Sequence, residues 1–117
     1  MIKFLKGFRF AINGIRVALR EQLNLKVQVV IAVVVVTLGV HFQITLIEWI
    51  ALLLTIALVF GLELINTAIE NLVDLVTTER KPLAGKIKDI AAGAVLIVSV
   101  LSVIIGWLIF KPYLFPR

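Results

Sequence analysis

The chain has no cysteine among its 117 residues, so disulfides and thiolate metal sites play no part in its chemistry. It has one histidine, His41, which falls at a predicted helix end and reads as a solvated interfacial residue, not a ligand or a catalytic base. Charge is scarce. Only 16% of the residues are charged and 62% are hydrophobic, with a mean hydropathy of +1.13. A soluble domain of this length needs a more polar surface. The familiar nucleotide signatures are missing too. There is no G-x-x-x-x-G-K-[ST], no G-x-G-x-x-G, and no H-R-D or D-F-G. The Met1 end has no clean apolar stretch followed by a small-residue cleavage site, so it does not read as a signal peptide. No segment is low in complexity and no internal repeat stands out. What is left is an all-α integral membrane protein, with room for one domain of about three spans.

The basic residues are unevenly placed. Lys3, Lys6, Arg9, Arg16, Arg20 and Lys26 precede the first apolar run, and Arg80, Lys81, Lys86 and Lys88 separate the second from the third. His41 to Glu48 contains no Lys or Arg. The positive-inside rule therefore puts the N-terminus and the second connection in the cytoplasm. The C-terminus is then outside, where Lys111 and Arg117 run against the rule. Topology and lipid headgroups account for the net charge of +5, so no nucleic-acid partner is expected.

Residues 2–21 read as a helix lying on the membrane. Lys6, Arg9, Asn13, Arg16 and Arg20 form one polar stripe, and Phe4, Phe8, Ala11, Ile15 and Leu19 fall opposite. Spans are expected at about 25–42, 47–76 and 88–110, with Asn24 as N-cap of the first. The β-branched run Val33 to Val36 is read as helix, because a lone strand in lipid leaves its backbone groups unpaired. Pro82 is expected to break the chain between the second and third spans, and Pro112 and Pro116 to end it. Ala91 to Ala94 offer small residues for close helix packing.

The second span carries the chemistry. Glu63, Asn66, Glu70 and Asp74 recur at three, four and four, so they share one face of an otherwise apolar helix. Intramembrane carboxylates are costly and by default mark function. The plainer reading is a polar seam that only holds helices together. A proton- or cation-coupled transporter also uses such acids, but these cluster toward one end of a span and not at the midplane. Carboxylates with an amide suit Mg²⁺, a hard cation that takes oxygen ligands and binds alongside phosphates. A nearby lysine can carry the charge of a transferring phosphoryl group, and a further carboxylate can accept a proton from a lipid hydroxyl.

The run Glu63-Leu-Ile-Asn-Thr-Ala-Ile-Glu-Asn-Leu-Val-Asp74 resembles the signature of the prokaryotic diacylglycerol kinase family. Lys88-Asp-Ile-Ala-Ala-Gly-Ala-Val-Leu96 resembles a second motif, and the Phe8 to Arg16 stretch and the Glu79 to Lys88 connector extend the similarity to nearly the whole chain. That family includes undecaprenol kinases with the same motifs. The resemblance implies a homotrimer of small subunits, each with a surface helix and three spans, with active sites built between protomers. It implies transfer of the ATP γ-phosphate to a lipid alcohol with Mg²⁺. By position Glu63 resembles the catalytic base beside the lipid, Asn66 a supporting catalytic residue, and Glu70 the metal-binding acid. Lys88 and Asp89 resemble the nucleotide-binding pair, with Glu79 and Lys81 nearby. Lys3 and Arg16 fall where the surface helix meets lipid or nucleotide. One departure stands out: where the family usually carries a second metal-binding acid, this chain has Gln22, with Glu21 beside it about 100° around the helix. The expected activity is phosphorylation of diacylglycerol to phosphatidic acid, with undecaprenol as the alternative substrate. A non-catalytic oligomeric membrane protein is the alternative of another class. The expected location is the bacterial inner membrane, with the site on its cytoplasmic side.

Overall fold

A computed structural model of the chain describes residues 1–116, and Arg117 lies outside them. Four helices follow one another: α1 (Ile2–Glu21), α2 (Leu23–Phe42), α3 (Leu46–Val76) and α4 (Pro82–Leu114). No strand occurs among the described residues. The last three helices are each long and apolar enough to cross a membrane. The architecture is thus an amphipathic helix followed by three spans.

The helix ends follow from local chemistry. α1 and α2 are separated by one residue, Gln22, in an extended conformation (φ −108°, ψ 113°). Its N–H still donates to the Ala18 carbonyl, and its own carbonyl accepts from the Lys26 N–H, so the turn costs few hydrogen bonds. Asn24 therefore lies inside the first turn of α2, and the N-cap expected there is Gln22 instead. At the other end of α2, Gln43 adopts the left-handed conformation (φ 51°). The Ile44 N–H reaches back to the Gly39 carbonyl and the Gln43 N–H to Val40, the Schellman pattern. Thr45 then caps α3. Its hydroxyl accepts from the Glu48 N–H, and the Glu48 carboxylate accepts from the Thr45 N–H, a reciprocal capping box.

Two prolines behave differently from expectation. Pro82 does not break the chain between spans; it opens α4 as its first residue, where its missing N–H is no loss. α4 accordingly starts before the expected boundary at 88. Pro112 lies inside the last turn and the helix runs on to Leu114.

α3 packs chiefly against α4. Toward the N-terminal end of α3, Leu52 is buried with Ile109 and Phe110 of α4 and with Ile44 of the α2–α3 turn. Phe42 stacks on Tyr113 at 5.7 Å, and Trp49 lies over Gly39. The Tyr113 hydroxyl donates to the Glu48 carboxylate and joins the two helix ends. The radius of gyration is 17.4 Å, whereas a compact globule of this length measures about 13 Å. Between 11 and 22% of each span's most apolar stretch is buried, so most of that surface is left for lipid or other chains. At 1.5 Å per residue α3 is about 46 Å long and α4 about 50 Å, against about 30 Å of hydrocarbon, so both emerge from a bilayer.

Candidate active site

Counting about 20 residues from Leu46 spans the hydrocarbon and reaches the middle of the polar face of α3. There the helix turns Glu63, Asn66 and Thr67 inward, at 2, 7 and 4% exposure. The Thr67 hydroxyl donates to the Glu63 carbonyl at 2.9 Å, a back-bond that satisfies its own polar group. One turn on, the Asn66 amide donates to the Glu70 carboxylate at 3.3 Å. Asn66 Oδ1 is then buried without a partner. The face expected from spacing thus exists as a linked Asn66–Glu70 pair beside the buried Glu63 carboxylate.

These three residues line a cleft of about 420 Å³. Its other walls come from Asn24 and Gln28 on α2 and from Ala92, Val95 and Ser99 on α4. Gln28 Oε1 is also buried without a partner. The sequence marks Asn24 only as a cap and does not single out Gln28. Their spacing of four at the start of an apolar helix was the available signal, since it puts both on one face.

The other expected residues are spread around the cleft. Lys88 is on the second turn of α4 and its ammonium donates to Asp74 at 2.7 Å, tying α4 to the last polar residue of the α3 face. Asp89, one position on, is exposed and does not line the cleft. Glu79 and Lys81 form an open ion pair at 3.8 Å in the connector, where the Glu79 N–H also donates to Thr77. Glu21 faces a groove between α1 and α3 with Thr67 and Asn71, and Gln22 is half-buried at the joint. Neither lines the cleft that holds Glu70. Arg16 flanks Asn13 and Arg9 on the open side of α1, and Lys3 is exposed near its start. Among the described residues, no three of His, Asp and Glu converge as a metal-binding group.

A buried carboxylate and a carboxylate–amide pair thus lie together in one cleft at one end of the α3–α4 pair, and Lys88 is bonded to Asp74 outside that cleft. The sequence profile described as prokaryotic diacylglycerol kinase matches residues 9–110. An undecaprenol kinase of Bacillus subtilis is 44% identical over 96% of this chain and 91% of its own length. A diacylglycerol kinase of Synechocystis is 38% identical over 92% of this chain and 62% of its own length. One of Haemophilus influenzae is 28% identical over 87% of each. The protein is thus an integral membrane lipid kinase with ATP as its co-substrate. It belongs to the prokaryotic diacylglycerol kinase family.

Proposed function

We propose that the chain phosphorylates a long-chain isoprenoid alcohol of the undecaprenol type, with Mg²⁺, as a homotrimer, at the cytoplasmic face of the bacterial inner membrane. Diacylglycerol, the substrate first expected, is the second reading. The preference rests on the relative named undecaprenol kinase, which shares 44% identity against 38 and 28% for relatives named diacylglycerol kinases. The topology rests on the Lys and Arg residues of α1 and of the α3–α4 connector. The open shape of the single chain, with its exposed apolar spans, supports assembly with further copies.

The observation that carries the reading is Glu63, a carboxylate 2% exposed beside a polar cleft and without a cationic partner among the described residues. Such a group suits a general base. In the reaction the lipid oxygen attacks the γ-phosphorus, the bond from that phosphorus to the β–γ bridging oxygen breaks, and ADP leaves. Glu63 takes the hydroxyl proton. Lys88 offers charge to the transferring phosphoryl group, with Asp89, Glu79 and Lys81 toward the nucleotide. The oxygens fit a hard cation: Glu70 supplies a carboxylate, and the partnerless Asn66 Oδ1 a neutral ligand. Mg²⁺ held there would neutralise phosphate charge. Glu21 or Gln22 completes that set only if a second copy brings its α1–α2 joint to the cleft.

Glu63→Gln keeps the size and removes the basic oxygen. It should lower kcat by about 10²–10⁴-fold while ATP binding changes little. Turnover near that of the unaltered protein would sink the assignment.

A further inference from the structure

The polar face of α3 does not end at the cleft. Glu70 lines the cleft, and Asp74 is the next residue on the same face, one turn toward the connector. On α4, Ala92, Val95 and Ser99 line it, and Lys88 stands one turn before Ala92 on that face. The two faces meet once more beyond the cleft, where the Lys88 ammonium donates to Asp74 Oδ1 at 2.7 Å. The pair therefore marks the connector end of the cleft. By the positive-inside rule this is the cytoplasmic end, the side from which a nucleotide comes. Both side chains are partly open to solvent, at 39 and 54%. The proposed reaction uses Lys88 and leaves Asp74 idle, yet Lys88 is bonded to Asp74 and does not line the cleft.

We infer that Asp74 is a positioning residue for the nucleotide. It holds the Lys88 ammonium while no phosphate is bound, and gives it up when Lys88 meets the transferring phosphoryl group. This rests on the reading that Lys88 serves that group, and deepens it. Three observations carry the inference. First, Asp74 is the one acidic partner of Lys88 among the described residues, so the lysine charge is neutralised before any nucleotide arrives. Second, the ammonium has to leave Asp74 to reach the cleft. Its flexible four-carbon stem and its partial exposure leave that swing open. Third, the pair is weak enough to be exchanged. Exposed pairs of this kind are formed for about 60 to 80% of the time, and only the remaining fraction has a free lysine. Apparent nucleotide affinity falls in proportion to that free fraction, so Asp74 weakens it by about 2- to 5-fold. A carboxylate that instead aimed Lys88 at the phosphate, while keeping its own bond, would strengthen nucleotide binding. The two roles therefore differ in sign.

The test measures equilibrium binding of the non-hydrolysable β,γ-imido analogue of ATP, with Mg²⁺, to the whole protein in mixed micelles without lipid alcohol. In Asp74→Asn the Kd should fall about 2- to 5-fold, while kcat, measured separately with ATP and the lipid alcohol, stays within about 2-fold. Asp74→Glu keeps a carboxylate on a longer stem and should restore the Kd of the unaltered protein. Lys88→Met should bind the analogue more weakly, and adding Asp74→Asn to it should change nothing further. That cycle separates an effect carried by Lys88 from the general loss of a negative charge near an anion. Tightening of the same size in the Lys88→Met background therefore overturns the inference. So does a Kd that rises in Asp74→Asn, which would make Asp74 the residue that aims the lysine. A loss of kcat beyond about 10-fold in Asp74→Asn also overturns it, because it puts Asp74 in the chemistry. If Asp74→Asn does not accumulate in membranes, Asp74→Ser is read in its place. Full turnover and unchanged analogue binding in Lys88→Met sinks the underlying reading of Lys88. Weakened binding in Lys88→Met beside an unchanged Kd in Asp74→Asn sinks only this inference.

Discussion

Lys88 and Asp74 form the one ion pair that joins α3 to α4 among the described residues, and the pair separates a structural from a chemical role for the lysine. The N–O distance is 2.7 Å, with the two side chains 39 and 54% exposed. In water two unit charges at that distance attract by about 1.5 kcal/mol. Ordering of both side chains and salt screening leave about 0–1 kcal/mol for such exposed pairs. Asp74→Asn should therefore lower stability by less than about 1 kcal/mol and change activity by less than about 5-fold. Lys88→Met breaks the same pair, so its cost in stability should match. If Lys88 also meets the transferring phosphate, its loss removes a preorganised charge worth about 10²–10³-fold in rate. The assay is ADP release in mixed micelles containing the lipid alcohol, with thermal unfolding of each variant measured in parallel. The expected result is equal, small stability losses and a large activity loss in Lys88→Met alone, with the double variant no worse than Lys88→Met. Equal activity losses in the two single variants would refute the reasoning and leave Lys88 as an anchor for α4.

Lys88→Arg should also lose activity, because a planar fork does not replace a compact ammonium at a fitted phosphate site; full ADP release in that variant would argue for anchoring alone. Gly39→Ala should destabilise the protein by about 1–3 kcal/mol in thermal unfolding, since overpacking forces side chains from their places. The added Cβ would come 2.8 Å from Trp49 Cη2 and 3.1 Å from Ile44 Cδ1. Tyr113→Phe removes the hydrogen bond to Glu48 and should cost about 1 kcal/mol in the same measurement, with turnover unchanged. Gln22→Glu should lower the half-saturating Mg²⁺ concentration if the α1–α2 joint of a second copy reaches the cleft; an unchanged Mg²⁺ titration would place the cation away from that joint.

Much of this was legible in the sequence because it rests on periodicity. Glu63, Asn66, Glu70 and Asp74 share a face by spacing alone, and a 20-residue apolar run in lipid has to be helical. What was not legible depends on neighbours distant in sequence. Asp74 does not line the acid cleft and pairs with Lys88, a partner that comes from the far side of a connector. Gln28 is one polar residue in an apolar span, and only the packing of α2 against α3 and α4 puts it in the cleft with Glu63. Pro82 misled because proline interrupts a helix interior but suits a first turn, and its rank within a turn is set by where the backbone starts to coil. Asn24 misled for a similar reason. Several polar residues near the joint could cap α2, and the extended backbone of Gln22 decided which one did.

We propose that the buried Glu63 carboxylate in the polar cleft serves a lipid kinase whose preferred acceptor is an isoprenoid alcohol. The most direct measurement is transfer of the labelled γ-phosphate from ATP, with Mg²⁺, to undecaprenol and to diacylglycerol presented at equal mole fraction in the same micelles. Labelled polyprenyl phosphate should form, with kcat/KM at least about 10-fold above that for diacylglycerol, a difference of about 1.4 kcal/mol. Preferential formation of labelled phosphatidic acid would overturn the substrate assignment. Label in neither lipid, with the protein folded and ATP present, would contradict the account as a whole.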